Sequence, residues 1–531
     1  MKEITSTKLI IITTVIIMLF GNLTFFTNVL DTYPLNIKNS LFLLSLVAVF
    51  GGVTTLLLSL VCYKYTIKPI LITILLISSS AAYFMDTYNV VIDETMIDNI
   101  LNTDMGESLD LLSIRQILYL LFLGIVPSIF IYKAKIPYRS YKKSIIARAK
   151  LLGGSIAVVL IAILLFSDFY ASFFREHKSL RYYANPTYYI YSAIKYSGRL
   201  FKSVALPLQA IGMDAKIPLS DVDRELVVLV VGETARADHF SLNGYSKKTN
   251  AYLEKEDVIS FTNFWACGTS TAVSVPCMFS IHNRSSYEKN EANATENILD
   301  ILQRSGVNVL WLDNNSDSKG VATRVPYESY KSSETNTICD VECRDVGMLT
   351  NLQAYIDDHP QGDIFIVLHQ MGNHGPAYYK RYPKAFEKFT PTCQTNQLEN
   401  CSEEQINNTY DNAILYTDYF LSKVIDLLKD NNADFEPAMV YMSDHGESLG
   451  ESHLYLHGLP YMIAPDAQKN VPVIMWFGDN FVDEINIDSL KASIHDELSH
   501  DNLFHTLLGM MEVNTSVYDK TMDLIDHDED H

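Results

Sequence analysis

Basic side chains are scarce in this sequence: Lys and Arg number 41 against 62 Asp and Glu, for a formal net charge of -21. That shortage excludes a nucleic-acid partner, because phosphate backbones are held by clustered Lys and Arg. No internal repeat is visible. Long apolar runs are confined to the chain before about Phe174, and everything after Leu226 mixes strands, helices and polar loops as in a water-soluble α/β domain. The 48% hydrophobic share is therefore uneven along the 531 residues, and two domains of different character are expected.

Five apolar runs, at residues 9–30, 40–62, 69–84, 117–132 and 151–166, meet or approach the roughly 20 residues that a spanning helix needs. The third is short and carries Ser78, Ser79 and Ser80, which by itself suits a re-entrant or buried segment. Orientation decides for a span. Lys133, Lys135, Arg139, Lys142, Lys143, Arg148 and Lys150 lie in a stretch with no acidic residue, which marks it as cytoplasmic together with Lys2 and Lys8. An even number of crossings must separate the two, so the third run counts and the acidic loop 85–115 lies outside. The fifth run then delivers everything from about Asp168 to the extracytoplasmic side. A cleaved signal peptide does not fit, because further spans follow the first run. The expected organisation is a five-span domain over 1–168, an interfacial bridge over 169–220, a catalytic α/β domain over 221–521 and an acidic tail over 522–531.

Of the seven cysteines, Cys62 sits in an apolar run. Cys267, Cys277, Cys339, Cys343, Cys393 and Cys401 fall in the exported part as three pairs of sequence neighbours, a disulfide pattern whose connectivity stays open. Tyr170 to Tyr196 is Tyr-rich, with Arg175, Lys178, Arg181 and Lys195 interspersed, and suits headgroup depth. The tail DLIDHDEDH reads as a solvated acidic terminus.

In the soluble part, β-branched runs end in polar groups: LVVLVVGETARADH, NVLWLDNNSDSKG, DIFIVLHQMGNHG and AMVYMSDHGES. Alternation with helical stretches predicts a doubly wound, mainly parallel sheet with its ligand site at the carboxyl ends of the strands. Those ends carry Glu233, Asn315, His374, Asp444 and His445, whose convergence would make a metal site. The segment CGTSTAVSVPC offers hydroxyls at Thr269, Ser270, Thr271 and Ser274, and metal coordination or a helix amino terminus would activate one of them.

The sequence resembles the phosphoethanolamine transferases that modify lipid A, including the mobile colistin-resistance enzymes, within the alkaline-phosphatase and sulfatase superfamily. The resemblance covers nearly the whole chain. It is carried by GETARADHFSLNGY at 232–245, CGTSTAVSVPCMFS at 267–280, DNNSDSKG at 313–320, ECRDVGML at 342–349, HQMGNHGPAYYKRY at 369–382 and SDHGESLGE at 443–451. It implies a bacterial inner-membrane protein with a periplasmic catalytic domain of alkaline-phosphatase type. Glu233, Thr271, Asp444 and His445 would be ligands of a catalytic Zn2+, with Thr271 the group that becomes phosphorylated; a second ion stays open. His374, His457, Ser316 and Lys319 match residues placed near the substrate. Asn99, Thr103 and Glu107, four residues apart and so on one helix face, match positions that bind the donor's ammonium.

The implied reaction moves phosphoethanolamine from phosphatidylethanolamine to a lipid A phosphate, which lowers outer-membrane negative charge and implies polymyxin and colistin resistance. Transfer to a lipopolysaccharide core sugar, or a phosphoglycerol transferase, stays open beside it. A sulfatase needs a C/S-x-P-x-R context that CGTSTAVSVPC lacks. An inactive membrane sensor would not need the intact set of four. The sequence does not give the oligomeric state, and a monomer is the working expectation.

Overall fold

A computed structural model describes residues 3–102, 105–137, 140–202, 206–482 and 485–526. The chain divides into two compact units, Met1–Ile100 with Leu112–Phe201, and Leu101–Leu111 with Lys202–His531.

In the first unit, Ile37–Val61, Ile67–Tyr88, Ile114–Lys133 and Lys142–Leu165 are each long and apolar enough to cross a membrane. The third apolar run thus lies in a full-length helix. The first run differs from the single span expected: Ser6–Phe20 and Leu23–Thr32 meet at 55°, so the described residues hold four candidate spans, or five if the bent pair is one. The break is held by one side chain. The Asn22 side chain donates to the Ile17 carbonyl (2.9 Å) and to the Asn185 carbonyl (2.7 Å), taking up polar groups that an unbroken helix would leave to its own ladder. Leu9, Ile17, Leu58, Leu71, Leu75 and Ile131 form the centre of this unit's core.

The second unit is built on a seven-stranded sheet: β1 Glu225–Gly232, β2 Ile259–Phe261, β3 Asn308–Asp313, β4 Tyr327–Ser329, β5 Ile364–His369, β6 Glu436–Ser443 and β7 Val473–Phe477. The order is β2-β7-β6-β1-β5-β3-β4. β1 pairs in parallel with β5 and β6, and β3 with β4 and β5, whereas β7 runs antiparallel to both its neighbours. The sheet is therefore mixed but mostly parallel. Every residue of β1 is buried, with Val227, Leu229 and Val231 in one core and Leu226, Val228 and Val230 in the other. A strand covered on both faces must be apolar throughout, which is why LVVLVVG lacks alternation. Disulfides join Cys267–Cys277, Cys339–Cys343 and Cys393–Cys401.

Two differences from the expected organisation follow. Residues 101–111, part of the loop between spans, cluster with the second unit. There Asp110 pairs with Lys380 and, at 3.0 Å, with Arg381, while Asn396 donates to the Asp110 carbonyl at 2.6 Å. The start of the acidic tail is also packed, with Ile525 buried and Leu524 N–H donating to Thr506 Oγ1 at 3.0 Å; residues 527–531 lie outside those described.

At the amino-terminal edge of the sheet, Glu225 is pushed up to about 10 by burial and by the Asp363 carboxylate beside it. Its folded pKa lies above the unfolded value, so its contribution is complete below the unfolded carboxylate pKa of about 4.3 and is lost as pH rises towards the folded value. Thermal stability of the full chain in detergent is expected to fall between about pH 6 and 9, and Glu225→Gln to flatten that fall. An unchanged slope in the variant would remove Glu225 as its cause.

Candidate active site

The carboxyl ends of β1, β3, β5 and β6 lie along one edge of the sheet, and each bears a polar loop. Glu233 directly follows β1, Asn315 follows β3 by two residues, His374 lies beyond β5, and Asp444 and His445 follow β6. Glu233, Asp444 and His445 are fully buried, and their ligand atoms lie within 4.8 Å of one another. His445 Nε2 is 3.3 Å from Asp444 Oδ2 and 3.6 Å from Glu233 Oε1.

Thr271 is the first residue of a short helix, Thr271–Met278. Its hydroxyl donates to Glu233 Oε2 at 3.1 Å and lies 3.4 Å from His445 Nε2. The loop before it is held on several sides. Gly268 N–H donates to Ser274 Oγ (2.9 Å), Thr269 Oγ1 to the Leu459 carbonyl (2.7 Å), and Gly458 N–H to the Thr269 carbonyl (2.8 Å). The His445 turn leaves no room for a side chain at Gly446, where a Cβ would fall 2.0 Å from the Ala467 carbonyl oxygen.

The donor set fits a divalent cation. His445 Nδ1 lies 2.9 Å from the Gly446 carbonyl, an acceptor, so Nδ1 carries the proton and Nε2 turns its lone pair towards the cluster. Asp444 spends Oδ1 on the N–H groups of Thr234 (3.1 Å) and His445 (2.7 Å), whereas its buried Oδ2 has no hydrogen-bond donor among the described residues. Two carboxylates, an imidazole and a hydroxyl make four oxygen and nitrogen donors. Burial and the neighbouring Glu233 charge push the Asp444 carboxyl upward. Burial opposes charge on Glu233 too, but the imidazoles of His445, His374 and His457 and the Thr234 hydroxyl hold it down at about 2. Facing like charges out of water are costly, and a cation between them relieves that cost.

His457 and His374 are gathered at the same place. The His457 ring centroid is 4.3 Å from that of His445 and 5.7 Å from that of His374. Burial works against charge on His457, yet Glu447, with Oε1 3.4 Å from Nδ1, outweighs it and raises the pKa to about 9. His374 goes the other way, to about 3, because burial dominates and Arg381 adds positive potential. Asn315 Nδ2 donates to Glu233 Oε2 at 2.8 Å, and Lys319 Nζ to Ser316 Oγ at 2.5 Å. Asn99 lies on Glu94–Asn102 in the first unit, and Thr103 and the Glu107 side chain lie outside the described residues.

Comparison with known proteins places the chain in one lineage. The family model for sulfatases matches residues 225–513, and that for phosphoethanolamine transferases EptA/EptB matches residues 50–200. Phosphatidylethanolamine transferase Mcr-2 of Escherichia coli is 44% identical over 506 residues, covering 93% of this chain and 92% of that protein. The chain belongs to the phosphoethanolamine transferase family. Phosphoethanolamine transferase EptA of Escherichia coli K12 is 41% identical over 95% of this chain and 93% of its own. The solved integral membrane lipooligosaccharide phosphoethanolamine transferase A of Neisseria meningitidis superimposes with a TM-score of 0.95 at 35% identity, covering 99% of each chain.

Some residues that shape this transferase's site escaped the reading of the sequence. Glu447 stands inside the segment SDHGESLGE, two positions from His445, and its proximity to His457 was the missing information. His500 has no local signal. Buried between two loops, its Nδ1 accepts from Cys267 N–H (3.1 Å), so Nε2 carries the proton and donates to the Ser443 carbonyl (3.0 Å). It thereby ties the threonine loop to the aspartate loop. Arg381, likewise buried, donates from Nε to the His374 carbonyl at 2.6 Å.

Proposed function

We propose that this chain transfers phosphoethanolamine from phosphatidylethanolamine to a phosphate of lipid A through a phosphorylated Thr271. The observation that carries the proposal is the Thr271 hydroxyl placed against Glu233 and His445, in a cluster whose remaining buried lone pairs face one another. Glu233, Asp444, His445 and Thr271 would hold a zinc ion, whose charge makes the threonine hydroxyl acidic enough to attack at neutral pH.

Thr271 Oγ1, held by its hydrogen bond to Glu233 Oε2, releases its proton to solvent and attacks the donor's phosphorus. The bond from phosphorus to the glyceryl oxygen breaks, and His457, kept charged by Glu447, gives that oxygen a proton as diacylglycerol leaves. Lys319, aligned by Ser316, pairs with the phosphate oxygens. Neutral His374 donates a hydrogen bond without adding charge, and the ammonium is assigned to Asn99, Thr103 and Glu107. In the second half, a phosphate oxygen of lipid A gives up its proton to His457 and attacks the phosphothreonine, the bond from phosphorus to Thr271 Oγ1 breaks, and the threonine oxygen is left free for the next cycle.

Both substrates are lipids, which gives a membrane anchor a purpose. Five inner-membrane spans, with the basic stretch 133–150 cytoplasmic, would set the catalytic unit in the periplasm. The added amine lowers outer-membrane negative charge, and polymyxin resistance follows from that chemistry. Mass spectrometry of lipid A from cells expressing the chain is expected to show one added phosphoethanolamine group. Unmodified lipid A with a modified core sugar, or an added phosphoglycerol, would overturn the assignment.

A further inference from the structure

Four side chains beside the nucleophile loop alternate as cation, aromatic ring, cation, aromatic ring. The Arg284 guanidinium lies 4.0 Å from the centroid of the Tyr461 ring. Lys469 Nζ lies 5.4 Å from that same ring and 5.8 Å from the ring of Trp265. Trp265 and Arg284 come from one stretch of the chain and Tyr461 and Lys469 from another far along it, and only folding makes them a row.

The row is wired to the segment that carries Thr271. The Lys469 carbonyl accepts from Ala266 N–H at 2.8 Å, and Tyr461 follows the Gly458–Leu459 turn whose backbone is bonded to Thr269. Arg284 is exposed, and it is its backbone N–H, at 2.7 Å, that meets Asp501. Lys469 has a partner in Asp466 at 3.2 Å, itself 75% exposed. Met462, next to Tyr461, is 89% exposed. In a chain of net charge -21, two cations gathered against aromatic rings go against the overall field.

Such a row matches one ligand chemistry. A cation resting on a ring keeps its charge while the ring limits its freedom, and Arg and Lys both pair with phosphate. The electron-rich ring face attracts the polarised C–H groups on the flat side of a sugar. The donor headgroup has a phosphate and an ammonium but no sugar ring; Arg284 and Lys469, already at these rings, repel a further ammonium, so the row suits the acceptor better than the donor. We infer that Arg284, Tyr461, Lys469 and Trp265 form the acceptor subsite, which binds a phosphorylated saccharide headgroup next to Thr271. The inference rests on the two-substrate reading of the site.

The test separates the two half-reactions in the full chain. Donor alone, in a single turnover, reports diacylglycerol release; discharge of the loaded enzyme is then followed with a water-soluble phosphorylated glucosamine disaccharide and with lipid A in vesicles. Arg284→Ala, Lys469→Ala and Tyr461→Ala are expected to leave diacylglycerol release unchanged and to raise the acceptor KM about tenfold for both acceptors, the loss of roughly one charge-assisted contact. Tyr461→Phe, which keeps the ring, is expected to behave as wild type. A rise confined to lipid A in vesicles would make the row a bilayer headgroup contact and overturn the subsite, as would an equal fall in both half-reactions. If wild-type protein released no diacylglycerol, the transfer reading itself would fail, a result distinct from failure of the subsite.

Discussion

Thr271→Ala is expected to lower donor consumption by about 10^4-fold or more, the scale on which removal of a nucleophile acts when the rest of a catalytic unit is intact. The loss follows from geometry. Thr271 Oγ1 is the hydroxyl that reaches both Glu233 and His445, whereas the Thr269 hydroxyl is committed to the Leu459 carbonyl. Thr271 occupies the first position of its helix, and alanine removes one hydrogen bond to a charged group, about 1–3 kcal/mol. Lost activity in a variant that still melts cooperatively therefore reports chemistry. Thr271→Ser, which keeps the hydroxyl, is expected to retain a measurable fraction. Intact-protein mass spectrometry after exposure to donor reads the covalent adduct directly: wild type and Thr271→Ser gain a phosphoethanolamine group and Thr271→Ala does not. An adduct on Thr271→Ala at the wild-type level would move the nucleophile elsewhere.

Asp444→Asn is expected to change stability in opposite directions with and without metal. The substitution keeps the shape of the side chain and an oxygen for the Thr234 and His445 N–H groups, but removes one of two buried charges that face each other. In protein stripped by a chelator, relief of that repulsion raises stability by about 1–3 kcal/mol. With zinc restored, wild type gains binding free energy, about 4 kcal/mol at a thousandfold excess over Kd, and the variant loses most of that gain because a charged ligand is gone. Thermal melts of the full chain with chelator and with added zinc check both signs. A variant that melts below wild type in chelator would show that the carboxylates are not in conflict, and with that the physical case for a cation between them would fall.

Much of the fold could be read along the chain because its signals are local. Apolar runs of spanning length mark the first unit, and LVVLVVGETARADH marks a β-branched strand that ends in polar groups. The same locality set the limits. The bend at Asn22 arises because Asn185, 163 residues away, receives its amide. Residues 101–111 read as a loop of the membrane domain, yet Asp110 finds Lys380 and Arg381 some 270 residues on. The antiparallel course of β7 depends on which edge remained open beside β6, and nothing within VPVIMWF records it.

For the site, residue types at the strand ends pointed to Glu233, Asn315, His374, Asp444 and His445 and left four hydroxyls open, and the family resemblance implied Glu233, Thr271, Asp444 and His445 as the metal and nucleophile set. By itself the sequence determined the membrane and soluble halves, the mainly parallel sheet and the inventory of reactive groups, because each is encoded in a few consecutive side chains. Tertiary structure alone decided which groups meet and in what state. It paired Glu447 with His457, set His500 between Cys267 and Ser443, and aligned Arg284, Tyr461, Lys469 and Trp265. Distances across a sheet edge and the electrostatics of burial belong to the folded chain, where residues more than 200 positions apart share a few ångströms of space.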